Sequence, residues 1–221
     1  MNKMDLKQFT EVDFDYSYIE KVLTGQGIKT IKIFSLGPEG TNIIKATRQW
    51  VEKTGISHKS EYIYCDTPEE EVEKAREVKE SGVFPIIALC AVYYKLNDLY
   101  FNYEDCYFFM HHYYMPLDKL QLAAREEVET IPEDWTIAVH PSPKPLITGL
   151  KNKTVKANSN SSAAQLCAAG IANACITTEE AKTAYSLKTL HSFGAPNMLF
   201  TFGTTKHGIN LLKQLSPERE G

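Results

Sequence analysis

Thr30-Ile31-Lys32-Ile33-Phe34-Ser35-Leu36-Gly37-Pro38-Glu39-Gly40-Thr41 is the stretch that decides the fold. Polar and apolar residues alternate up to Ile33 and the run is rich in β-branched residues, so it reads as a strand. Gly37-Pro38-Glu39-Gly40 is a loop, because glycine and proline break regular structure. From Thr41 the period changes. Ile43, Ile44, Thr47 and Val51 recur at helical spacing and Gly55 stops the run. A strand that enters a helix through such a loop leaves backbone N–H groups free to face an anion. Ordinary capping of a helix start is the bland alternative for any one such loop.

The same order recurs along the chain. Tyr62-Ile63-Tyr64 is a strand, and Thr67-Pro68-Glu69-Glu70 starts a charged helix that runs to about Glu80. Pro85 to Val92 is continuously apolar, as in a strand buried on both faces. Tyr107 to Met115, Leu120 to Ala124 and Trp135 to Val139 read as further strands, and Pro145 to Leu150 as the start of a helix. Thr154 to Ala157 is a strand leading through Asn158-Ser159-Asn160 into a helix from Ser161 to Ala169. Ala174 to Thr177 is a strand, Thr178 caps a helix to Tyr185, and Leu199 to Phe202 is the last strand. Strands that alternate with helices imply an α/β fold with mostly parallel sheets. Asp15 to Leu23 is a short helix in an N-terminal extension spanning residues 1–30.

Composition narrows the function classes. With 221 residues, the chain suffices for one large domain or two small lobes. A net charge of -4 argues against nucleic acid as a partner. No apolar run approaches the roughly 20 residues of a membrane span, and Met1 to Lys7 lacks the apolar core of a signal peptide. The expectation is a cytoplasmic protein. The five cysteines form no C-x-x-C pair and read as reduced packing residues. His111 and His112 are neighbours on a strand and point to opposite faces, so no metal site is expected there.

Three segments in order carry a resemblance to a known family: Leu36-Gly37-Pro38-Glu39-Gly40-Thr41, then His140-Pro141, then Ser159-Asn160-Ser161-Ser162-Ala163-Ala164 with Ala174-Cys175-Ile176-Thr177 behind it. Together they resemble the catalytic region of prephenate dehydratases over roughly residues 31–203. His140-Pro141-Ser142-Pro143, Asn158-Ser159 and Phe202-Gly203 are more similar to the branch that decarboxylates prephenate without aromatising it, as in bacilysin biosynthesis, an antibiotic pathway that leaves the aromatic amino acid pathway at prephenate. The resemblance implies two lobes like a type 2 periplasmic binding protein, with the substrate between them. Residues 31–107 and 188–215 would form the first lobe and 108–187 the second. Only about eighteen residues follow Gly203, so no C-terminal regulatory domain is expected.

The departures are informative. Where dehydratases carry Thr-Arg-Phe on the last strand, this chain has Asn197-Met198-Leu199-Phe200, and a thioether cannot protonate a leaving hydroxyl. Ile87-Ala88-Leu89-Cys90 stands where the family has an acidic and an amide side chain. The leading expectation is therefore a cofactor-free lyase that decarboxylates prephenate or a similar cyclohexadienyl carboxylate without aromatisation. A non-catalytic module that binds a small anion is the alternative, and a prephenate dehydratase the third reading. A small-molecule carboxylate is the expected partner, with a homodimer as a possible assembly.

The expected site follows. Gly40 and Thr41 hold one carboxylate, and Ser159, Asn160, Ser161 and Ser162 hold the other, all lining one cleft. Arg125 pairs with a carboxylate, unless it is a surface arginine. His140 donates a proton to the ring, unless it is a hinge residue bonded to the backbone. Tyr93 and Tyr94 are lesser candidates, since tyrosines in an aromatic-rich chain are more often packing residues.

Overall fold

The computed structural model describes residues 16–37 and 39–215. Pro38, Asp15 and the rest of the stretch before Tyr16 lie outside the described residues. The chain divides into two compact units. The first holds residues up to Ala91, Leu96–Tyr113 and the chain from Leu199 onward; the second holds Val92–Lys95 and Tyr114–Met198.

In the first unit, β1 (Thr30–Leu36) lies between β2 (Ser60–Cys65) and β3 (Val83–Cys90), parallel to both. Next come β10 (Asn197–Thr205), antiparallel to β3, and β4 (Cys106–Pro116) at the edge, giving the order β2-β1-β3-β10-β4. β3 is buried on both faces because Phe84 to Leu89 contains no polar side chain. Helix α1 (Tyr16–Thr24) buries Ile19 and Leu23, and the Tyr18 hydroxyl donates to the Leu212 carbonyl of α7 (Lys206–Gln214). Residues 16–30 are thus part of the first unit's core.

Helix α2 (Asn42–Thr54) buries Ile43, Ile44, Thr47, Trp50 and Val51 and leaves Arg48 and Gln49 in solvent. Trp50 stacks on Phe202 of β10 at 4.0 Å between ring centroids. Gly55, at φ 75°, ends α2 in the left-handed conformation that glycine adopts without a Cβ clash. Helix α3 (Pro68–Glu77) starts at Thr67, whose hydroxyl accepts from the Glu70 N–H at 3.1 Å. It stops at Glu77, short of the expected Glu80. Where β10 passes β4, a Cβ on Gly203 would lie 2.4 Å from the Tyr107 carbonyl oxygen, so only glycine fits. Helix α4 (Leu96–Asn102) leads into β4 and buries Leu99.

In the second unit the order is β7-β6-β8-β5-β9, with β5 (Leu120–Ala124), β6 (Thr136–Val139), β7 (Lys153–Lys156), β8 (Ala174–Thr178) and β9 (Lys188–Gly194). β6 is parallel to β7 and β8, and β5 is antiparallel to β8 and β9. Small side chains (Ala123, Ala138, Ala163, Ala164, Cys167, Cys175) let helix α5 (Asn160–Ala168) sit close on one face. Leu122, Ile137, Val139 and Ile176 fill the other. Thr178 caps α6 (Glu179–Ala184) through its hydroxyl.

Three expectations change. Both sheets are mixed rather than mostly parallel, because β5 and β10 enter without the helical crossover that makes neighbours parallel. Lys188–Gly194, expected with the first lobe, pairs with β5 in the second unit. The helix expected from Pro145 is only a 3-10 turn at Lys144–Ile147, since Pro141, Pro143 and Pro145 remove the amide donors and Gly149 follows at once.

Candidate functional site

In the first unit Gly37 and the segment Glu39 to Thr41 lie at the carboxyl ends of β1 and β2, where open α/β sheets place their ligands. Gly37 donates to the Cys65 carbonyl at 2.9 Å, and Gly40 has φ 87°. Glu39 fastens the loop. Its carboxylate accepts Arg48 Nε and Nη2 at 3.0 Å each, and accepts the Tyr64 hydroxyl as well. The guanidinium lies over the Tyr62 ring at 4.6 Å. Arg48 and Tyr64 hold the Glu39 carboxyl below its ordinary range. This clamp has no short-range sequence signal, because Arg48 and Tyr64 are nine and twenty-five residues away.

Thr41 is the residue before α2, yet its hydroxyl bonds back to the Leu36 carbonyl at 3.4 Å and caps no amide. The first turn of α2 is thus not capped by the Thr41 side chain. Beneath this region Glu71 is fully buried on α3. No hydrogen bond of good geometry reaches either carboxyl oxygen among the described residues. Burial, reinforced by Glu69 and Glu70 and opposed by the Leu36 amide, holds the Glu71 carboxyl well above the usual range. Its environment therefore favours the protonated carboxyl over the carboxylate.

In the second unit, β6 and β7 end side by side, with Val139 in register with Lys156. The Ala157 N–H then donates to the Val139 carbonyl at 3.0 Å. His140 and the Asn158–Ser162 turn therefore leave the sheet at one edge. Ser159 begins α5 with a reciprocal cap: its hydroxyl accepts Ser162 N–H at 3.0 Å, and Ser162 Oγ accepts Ser159 N–H at 2.8 Å. Ser159 and Ser162 side chains thus serve the helix itself. By helix geometry the amides of Asn160 and Ser161 keep no intrahelical partner. The Ser161 side chain is exposed. Asn160 Oδ1 is buried and has no partner among the described residues, while the Asn160 carbonyl accepts the Thr177 hydroxyl at 2.8 Å.

His140 is half-buried, and its Nδ1 accepts the Ser142 N–H at 3.3 Å. That bond requires an unprotonated Nδ1, so the neutral ring carries its hydrogen on Nε2. Burial first, and the charge of Lys156 second, lower its pKa from the ordinary value. The free protein therefore presents a neutral imidazole beside α5. The bond from Ser142 to Nδ1 is the backbone contact of the hinge alternative, and it leaves the ring hydrogen on Nε2.

Arg125 is not at this edge. β5 runs antiparallel to β8, with Ala124 opposite Ala174, so Arg125 leaves the sheet where β8 begins. Its Nη1 would lie 2.7 Å from a Cβ on Gly170, beyond the far end of α5. Nine helical residues separate the ends of α5, about 13 Å at 1.5 Å per residue. Arg125 and the Ser159 turn follow neighbouring elements that end at opposite edges, which sequence spacing cannot reveal. Thr41 and Gly40 belong to the first unit, and Ser159 to Ser162 and His140 to the second.

The five cysteines are free, and four are buried. Burial pushes Cys65 up to about 11 and Cys106 to about 12, so both stay thiols. His111 accepts the Trp50 indole N–H at 3.1 Å and faces Glu20, whereas His112 meets the Tyr16 hydroxyl. No group of three His, Cys, Asp or Glu side chains among the described residues is placed to hold a metal. No described helix is long and apolar enough to cross a membrane. A surface groove beside α3, lined by Lys32, Phe34, Glu61 and Ile63, includes none of the expected site residues.

No family model matches the chain, and no curated protein matches it. Solved structures do. The periplasmic VFT2 domain of BvgS from Bordetella pertussis is 18% identical over 91% of this chain and 92% of its own, with a TM-score of 0.56. PhnD1 from Prochlorococcus marinus, solved with methylphosphonate, is 9% identical over 85% of this chain and 82% of its own, with a TM-score of 0.51. A prephenate dehydratase from Staphylococcus aureus overlaps more loosely, at 11% identity over 79% of this chain and 66% of its own, with a TM-score of 0.44. At such identities the likeness concerns architecture alone: this chain has the α/β fold of periplasmic binding protein-like domains, built on two five-stranded sheets.

Proposed function

We propose that the chain is a cofactor-free lyase that decarboxylates prephenate, or a similar cyclohexadienyl carboxylate, and leaves the ring hydroxyl in place. The observation that supports this reading is that β6 and β7 end side by side, so that His140 and the turn into α5 leave the second sheet at one edge. Both segments belong to the ordered set that resembles the prephenate family. In the reaction the bond from the ring to its carboxylate breaks, and its electron pair moves into the diene. Carbon dioxide leaves and a proton adds to a ring carbon. The diene is its own electron sink.

His140 suits the proton step through its change of environment. It is neutral in the free protein. A bound carboxylate offsets the Lys156 charge and favours imidazolium, so substrate binding draws a proton onto the ring. That proton is then available after carbon dioxide has left. Met198 stands where dehydratases have a hydroxyl, so nothing there assists loss of hydroxide.

A second reading, a module that binds a small anion without chemistry, draws support from Ile87, Ala88 and Leu89. They are fully packed where the family has polar groups. Incubation with prephenate separates these readings. Carbon dioxide release with no aromatic absorbance supports the lyase. Binding without turnover supports the module, and phenylpyruvate supports a dehydratase.

A further inference from the structure

Lys156 and Tyr94 lie beside the two segments that the proposed reaction uses; the sequence motifs do not include Lys156, and Tyr94 is only a lesser candidate there. Lys156 is the last residue of β7, in register with Val139, so its backbone is one strand spacing from the residue preceding His140. Its side chain is exposed at the same sheet edge as the Ser159 turn. Tyr94 comes from Val92–Lys95, a short detour of the chain into the second unit. Tyr94 is 46% exposed, although its ring also meets that of Tyr93 edge-on at 5.2 Å between centroids. Lys156 Nζ lies 6.0 Å from the Tyr94 ring centroid and Lys95 Nζ 5.7 Å.

We propose that Lys156 and Tyr94 form the specificity element of this site, Lys156 pairing with a ligand carboxylate and Tyr94 covering an unsaturated six-membered ring. The assignment rests on the lyase reading and deepens it by supplying the cation that Arg125 does not. A lysine at a strand end is a mobile point charge, suited to a carboxylate whose position changes as carbon dioxide leaves. A tyrosine face adds apolar contact that a ring-free carboxylate cannot use. The two residues together select ring-bearing carboxylates over short keto acids. The apolar floor and the cation come from different elements, so their effects separate experimentally.

Titration calorimetry on the full chain with prephenate and with pyruvate tests this. Lys156→Met should weaken prephenate binding about tenfold to a hundredfold, the range for loss of a charge-assisted hydrogen bond, and Lys156→Arg should restore most of it. Tyr94→Ala should weaken prephenate at least about fivefold and leave pyruvate unchanged, while Tyr94→Phe binds like the parent. Circular dichroism of each variant should match the parent, since both side chains are exposed. Prephenate binding that survives both Lys156→Met and Tyr94→Ala overturns the assignment and leaves the lyase reading intact. Equal losses for both probes in Tyr94→Ala overturn the ring-selecting half. A parent chain that binds no prephenate overturns the lyase reading and this assignment with it.

Discussion

His140 and Glu71 are two ionisable groups whose burial disfavours the charged form, so that the pKa of the histidine is lowered and that of the carboxyl raised. For His140 the consequence is kinetic. If substrate binding draws a proton onto the ring, kcat/KM falls as pH rises through the lowered pKa of the free protein. The corresponding fall in kcat then sits at higher pH, because kcat reports the complex. Rate profiles in prephenate check this, and coincident limbs would contradict it. His140→Ala should lower the rate about a hundredfold or more, whereas Cys90→Ser, in an apolar strand, should leave it nearly unchanged. For Glu71 the consequence is stability. Its carboxyl ionises at an ordinary pKa in the unfolded chain and at a raised one in the folded protein. Between those values the folded state binds the extra proton, so stability falls as pH rises. Urea unfolding at pH 5 and pH 8 should show a smaller loss for Glu71→Gln, which cannot ionise, than for the parent. Equal losses would show that Glu71 is ionised throughout.

The two helix starts that resemble anion sites differ in how they are built. α5 closes its own cap through Ser159 and Ser162, and α2 does not use Thr41 as one. Ser159→Ala should therefore cost about 1 kcal/mol of stability, and Thr41→Ala less than about 0.5 kcal/mol, in chemical unfolding. Comparable losses would mean that Thr41 caps α2 in solution. Both starts were legible in the sequence, because Thr41 and Ser159 each precede a helical apolar period. Their difference was not, because it depends on where a hydroxyl points. The same contrast runs through the fold. β1, β3, β6 and β8 announce themselves by continuous or alternating apolar runs. β9 does not, because it is an edge strand with two register shifts against β5, which break the period of two. α7 was hidden by Gly208, which a helix tolerates here because a Cβ would lie 2.0 Å from Thr204 Oγ1. The Glu39–Arg48–Tyr64 clamp and the place of Arg125 are tertiary facts, set by which elements end at which edge.

At the scale of the whole molecule, the fold alone does not choose between sensing, transport and catalysis, since periplasmic binding protein-like domains serve several ends. The choice rests on three ordered motifs and on the chemistry at the edge of the second sheet. That edge offers a half-buried histidine with a lowered pKa, the first-turn amides of Asn160 and Ser161, which have no partner within the helix, and a lysine. On β10, the motif in which dehydratases have a hydroxyl carries Met198 here. These features favour carbon dioxide loss with the hydroxyl retained. The central claim is tested most directly by running the reaction with prephenate in deuterated water and reading the product by NMR. The account predicts release of carbon dioxide and a non-aromatic product with one deuterium on a single ring carbon and its hydroxyl intact. Phenylpyruvate as the product, or prephenate recovered unchanged, would contradict it.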